Sequence, residues 1–250
     1  MNKLSLIGAV IICGLVIGAI FAPIIAPYDP SFIDVDNAYL RPSCQHLMGT
    51  DSLGRDLFSR IIFGSRIALA IGIIAVGISA LIGLFLGSIA GYFEGKVSYI
   101  IMSFTDIMLC FPTMFLVLAI VAIIGPSILN VMIVIGCTSW MGIARLIRAE
   151  ILSLKKRDFC ACARGLGISE LSIITKHLIP NGIGPVLINI VFGIAGAVIA
   201  EVGLSFLGLG VQPPTPSWGN ILMEGKAAMG YAWWIIFFPG LAIFITVMSF

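Results

Sequence analysis

Long stretches with almost no charge tile this chain from end to end, at 4–27, 67–91, 97–124, 128–148, 183–210 and 231–250. A bilayer core of about 30 Å takes roughly 20 helical residues to cross, and in hydrocarbon each backbone N–H and C=O must be satisfied within the structure, which a helix does by itself. The runs therefore read as six membrane-spanning helices. A transmembrane barrel would show segments of about ten residues with alternating polarity, and none of these runs alternates in that way. A separate soluble domain is excluded by composition: 10% of the 250 residues are charged and 60% are hydrophobic, where soluble domains carry about 25% charged residues. The expected fold is all-α integral membrane.

Orientation follows from Lys and Arg, which are retained in cytoplasmic loops. With the N-terminus inside, Lys3, Lys96, Arg145, Arg148, Lys155, Lys156, Arg157, Arg164 and Lys176 lie inside, and Arg41, Arg55, Arg60, Arg66 and Lys226 outside. That asymmetry places both termini in the cytoplasm, and a net charge of +2 gives no reason to invoke nucleic acid. The uncharged stretch after Lys3 exceeds the roughly 7–15 residues of a cleavable signal and reads as a retained anchor. The last run reaches Phe250 with no basic residue to anchor it, so the chain reads as clipped there. The six cysteines lie mostly within apolar runs and imply no disulfide framework.

Two regions stand apart from the spans and suggest a division into 1–66, an anchor with an external loop, and 67–250, the transmembrane core. In the external loop, residues 49–64 read as a surface helix with Ser52 as N-cap, Leu53, Leu57, Phe58, Ile61 and Ile62 on one face, and an Asp56–Arg60 pair four residues apart. Asp51, Arg55, Asp56 and Arg60 on it either dock an external partner or brace the spans. The internal loop at 150–181 is long for a compact membrane protein and holds most of the inside basic residues. Within it, 158–167 supports two helical turns that stop at Gly165 and Gly167; a second helix restarts at Ser169 and ends at Pro180. Ala161, Cys162, Ala163, Gly165 and Gly167 are so small that another backbone can approach this elbow closely.

This stretch resembles the EAA loop of ABC importer permeases. Ala161-Cys162-Ala163 occupies the triplet, with Ala161 in place of the family's Glu; Gly167 is the glycine and Ile179-Pro180 the ending. Four further stretches, at 46–60, 104–120, 144–159 and 204–219, are similar to the second permease of the peptide and nickel uptake subfamily. The resemblance implies the type I importer permease fold in the inner membrane of a bacterium. It also implies a sister permease, two ATP-binding cassette subunits docked on the inside loops, and an extracytoplasmic substrate-binding protein. Asp158, Phe159, Ala161, Cys162, Ala163, Arg164, Gly165, Gly167 and Pro180 are then the ATPase-coupling residues. Nothing in the chain reads as a phosphate-binding G-x-x-x-x-G-K-[ST] loop, so ATP and Mg are expected on the partners, with no cofactor and no catalysis here. The expected cargo is di- or oligopeptides, with nickel chelates or glutathione-like peptides as the alternative.

Asp106 and Glu201 lie deep within spans, where a carboxylate is costly unless it meets water or a partner. Each is either an interhelical hydrogen bond or a pore contact. Arg145, Arg148, Lys155, Lys156 and Arg157 either touch the ATP-binding partner or hold a helix end at the headgroups; Arg164 has the choice of a partner or solvent. Pro213, Pro214 and Pro216 forbid regular helix, making 211–219 an extended outer lip with Trp218 as an interfacial anchor. Cys160, Cys162 and His177 are ligand types for a soft metal, but both cysteines sit where the elbow uses small residues, and no metal site is expected. An intramembrane protease lacks its His or paired Asp, and a self-sufficient channel would not need the elbow.

Overall fold

The structure, a computed structural model, describes residues 3–250 apart from the side chain of Leu4. Its main helices are α1 (Lys3–Ile20), α2 (Leu57–Tyr92), α3 (Lys96–Leu109), α4 (Thr113–Ile124), α5 (Ile128–Thr138), α6 (Met141–Leu154), α7 (Asp158–Gly165), α8 (Glu170–Phe206), α9 (Trp218–Gly225) and α10 (Trp234–Ser249). Among the described residues, three stretches are long and apolar enough to cross a bilayer: α2, Ile128–Leu154 and α8. The pair α3 and α4 makes a fourth if taken as one broken span, bent by 84°. That break falls at 110–112, where Pro112 disfavours helical backbone at Phe111. The remaining apolar helices, Ser5–Ile20 and Trp234–Ser249, are shorter.

Three sequence expectations are corrected. The segment expected to lie outside is not a surface helix over 49–64: helix begins only at Leu57 and runs unbroken to Tyr92, through the boundary drawn at residue 66. The cap is Asp56, not Ser52, because its Oδ2 accepts from the Ser59 backbone N–H at 2.8 Å and from Ser59 Oγ at 2.7 Å. Pro180 does not end a helix either. Winding widens to a π-helix over Ile173–Leu178, just where the Pro180 ring would otherwise press on the carbonyl four residues back, and α8 continues to Phe206. Trp218 is buried, its Nε1 donating to the Ile61 carbonyl at 3.0 Å.

The chain forms two compact units. The first comprises residues up to Ile74, Leu118–Met132 and Ile194–Phe250. Its core gathers Leu57, Ile61, Val198, Trp218, Ile221, Trp234 and Ile235. The second comprises Ala75–Val117 and Ile133–Gly193, with a core of Ile143, Ile147, Ile151, Leu154, Ile173, Leu178 and Val186. In the second unit Gly83, Gly87 and Gly91, four residues apart on α2, face Ile143, Ile147 and Ile151, equally spaced on α6. A Cβ at Gly87 would lie 2.8 Å from the Ala144 Cα, so the two helices meet almost backbone to backbone.

Candidate functional site

The elbow is set by burial. Cys160 and Ala163, one helical turn apart on α7, are buried against Leu154, Ile173 and Leu178, with Phe159 half-buried beside them. This inward stripe leaves Ala161, Cys162, Arg164 and Gly165 exposed on the outer face. Asp158 in the first turn and Arg164 in the last suit the helix dipole. The helix is closed by two backbone bonds, from Ile168 N–H to the Ala163 carbonyl (3.1 Å) and from Gly167 N–H to the Arg164 carbonyl (2.9 Å). That closure needs a left-handed residue, which Gly167 supplies at φ 74°. Burial pushes the Cys160 thiol up in pKa, and the neighbouring Arg164 partly offsets this.

Arg164 is engaged within the protein. Its guanidinium carbon lies 5.8 Å from the centroid of the buried Tyr92 ring, at the end of α2. Lys155 at the end of α6 reaches the same ring, with Nζ 5.1 Å from the centroid, and donates to the Tyr92 carbonyl (2.7 Å) and to Glu94 Oε1 (3.1 Å). The ends of α2 and α6 and the elbow thus converge on one aromatic side chain. On the elbow's outer side, Leu166 and Leu171 flank Gly167 and are 79% and 72% exposed. The sequence reading missed both. Their signal was available: they fall outside the buried positions 160, 163, 173, 174 and 178, yet are fully apolar. Pro180 lies beyond, exposed within α8, where Asn181 Nδ2 donates to the His177 carbonyl at 2.6 Å.

The other singled-out residues do not join the elbow. Asp106 is exposed and accepts from Arg145 Nη2 at 2.5 Å, while Arg148 Nε donates to Ser98 Oγ at 3.0 Å. Glu201, in the first unit, is fully buried; Ser205 Oγ donates to its Oε1 at 2.6 Å and accepts the Val211 N–H at 2.9 Å. Its other oxygen, Oε2, has no hydrogen-bond partner among the described residues.

The charges of the 49–64 segment turn inward. Asp51 is tied to Arg55 (Oδ2 to Nε, 2.7 Å) and to Arg60, and both arginines also bind Glu224 on α9. Asp51, Arg55 and Arg60 are almost completely buried. Asp56 pairs with His46 Nδ1 at 2.9 Å, not with Arg60. The i,i+4 pair in this segment is Asp51–Arg55, one turn earlier than the spacing of Asp56 and Arg60 suggested.

Comparison with known proteins agrees with this architecture. Residues 83–250, which include the elbow, match the binding-protein-dependent transport system inner membrane component family, and residues 1–42 match the N-terminal TM domain of oligopeptide transport permease C. The chain is 43% identical over 250 residues to the glutathione transport system permease protein GsiD of Escherichia coli O6:K15:H31 and of Shigella boydii serotype 4, covering 100% of this chain and 82% of each relative. The Shigella dysenteriae serotype 1 protein of that name is 42% identical over the same span. With the family model covering residues 83–250 and relatives 43% identical over the whole of this chain, the all-helical chain belongs to the binding-protein-dependent transport system inner membrane components, the peptide/nickel-type permeases of ABC importers.

Proposed function

We propose that this permease passes small peptides, glutathione among them, across the inner membrane by alternating access, driven by ATP hydrolysed on partner subunits. The glutathione transport permeases it resembles support that cargo class, and nickel chelates are the second reading within the same architecture. Six crossings are proposed: α1, α2, the broken pair α3 and α4, the pair α5 and α6, α8 and α10. Both termini are placed in the cytoplasm on the distribution of basic residues. A sister permease completes the path, an extracytoplasmic binding protein delivers the solute, and ATP and Mg are held by the two cassette subunits.

The observation that carries this reading is the elbow, where two strongly exposed leucines sit on a corner anchored from behind by Cys160, Ala163 and the Tyr92 junction. An apolar protrusion on a charged loop is stabilised by burial in a partner's groove, at about 25 cal/mol per Å². Asp158, Phe159, Ala161, Cys162, Ala163, Arg164, Gly165, Gly167 and Pro180 serve as its docking and framing residues. Cys162 provides the test without a substitution, since it is exposed on the outer face. A photoactivatable maleimide on Cys162 of the intact complex should crosslink to the ATP-binding subunit, and Cys162→Ser should abolish that product. Crosslinks only to lipid or to the sister permease would overturn the docking role.

A further inference from the structure

Asp106 and Arg145 form an ion pair at 2.5 Å whose side chains are 59% and 53% exposed. They stand on α3 and α6, within segments assigned here to membrane crossings. Charge in a crossing is tolerated against water, ligand or a partner chain and not against acyl chains, so a pair this open in the single chain marks a polar face. An open groove of about 480 Å³ leads to it, lined by Glu94, Ser98, Ser103, Asp106 and Arg148 among others. From Ser98 to Asp106 the groove follows α3 for about 12 Å at 1.5 Å per residue. Both helices are interrupted beside the pair: α3 stops at Leu109, and α6 follows a break at Ser139-Trp140. Phe104 and Trp140 stack at 6.0 Å at the same level. Interrupted helices near mid-membrane are where transporters place contacts to their solute, because free backbone ends and charges are tolerated only against water or ligand.

We propose that this groove is a water-filled inner vestibule of the translocation path and that the Asp106–Arg145 pair is its charged floor. Opened, the pair presents a carboxylate to an ammonium group and a guanidinium to a carboxylate, which suits a zwitterionic peptide. The proposal rests on the peptide-import reading above. The test uses the intact complex in inside-out vesicles carrying Ser103→Cys, labelled with cationic and anionic methanethiosulfonates. Labelling of Ser103→Cys should be at least about tenfold faster than of Ile123→Cys, which is 85% exposed on the apolar α4. Asp106→Asn should lower the cationic-to-anionic rate ratio by about fivefold or more, and Arg145→Gln should raise it comparably. Millimolar triglycine should slow labelling at least about twofold while N-acetyl-triglycine amide does not, provided both charges of the pair are present. Labelling no faster than at Ile123→Cys, rate ratios unmoved by either variant, or equal protection by both peptides would overturn the proposal. Binding-protein-stimulated ATP hydrolysis by the same complex is measured in parallel: if it is present, such a failure sinks the vestibule alone, and if it is absent in the parent complex, the import reading falls.

Discussion

Replacing Glu224 with Gln isolates the energetics of the ion quartet formed by Asp51, Arg55, Arg60 and Glu224. Asp51 and Glu224 balance Arg55 and Arg60, so the group is neutral. Glu224 Oε2 accepts from Arg55 at 2.9 Å and from Arg60 at 2.6 Å, and its Oε1 accepts from Arg60 at 3.0 Å. The substitution keeps the shape and removes the charge, leaving one excess cation among groups that are 0–5% exposed. Breaking a buried pair costs about 3–5 kcal/mol. Glu224 is itself 19% exposed, so water relieves part of this and the lower figure of about 3 kcal/mol applies. At roughly 2–4 °C per kcal/mol for a chain of this size, the unfolding midpoint in detergent should fall by about 6–12 °C. Adding Arg55→Gln restores neutrality and leaves Asp51 paired with Arg60, so the double variant should be more stable than the sum of the two single losses by about 0.5–3 kcal/mol. Strict additivity, or a Glu224→Gln shift under about 2 °C, would refute the claim that a desolvated, mutually compensated quartet holds this segment to α9.

Three further outcomes are expected. Gly87→Ala should destabilise the protein by about 1–3 kcal/mol through the forced separation of α2 from α6, whereas Gly77→Ala on the same helix, with open space around the added carbon, should gain up to about 1 kcal/mol from helix propensity; equal midpoints would refute the close seam. Gly167→Ala puts a side chain at φ 74°, at a cost of about 1–2 kcal/mol, and should speed proteolysis between Arg164 and Glu170 without altering membrane insertion. Cys160 should react with N-ethylmaleimide far more slowly than Cys162 at neutral pH. Because its thiol is raised by burial, its thiolate fraction and rate should go on climbing at alkaline pH after an ordinary thiol has levelled off; matched rates and pH profiles would contradict the buried face of α7.

The apolar runs were legible as mostly helical because a bilayer demands length and low charge, but only α2, Ile128–Leu154 and α8 reach bilayer length as single helices, and the run at 97–124 is bent by 84°. The elbow was legible through Gly167, whose left-handed backbone few other residues adopt. What escaped were interactions between positions far apart in the chain. The pairing of Arg55 and Arg60 with Glu224 spans more than 160 residues, and no periodicity within 49–64 announces it, so local spacing suggested an exposed helix instead. Pro180 misled for the opposite reason: its local rule is sound, but the π-helical winding of Ile173–Leu178 absorbs the conflict that usually stops a helix. The glycines at 83, 87 and 91 were in plain view, and only their packing partner on α6 gave them meaning.

The junction at Tyr92 has a consequence for the proposed docking corner. Arg164 and Lys155 reach one buried ring from separate segments, so displacing the corner disturbs contacts to the ends of two helices. If the elbow is the proposed docking corner, a stroke delivered there would be split between them at its point of entry, as a yoke divides the pull of one shaft between two traces.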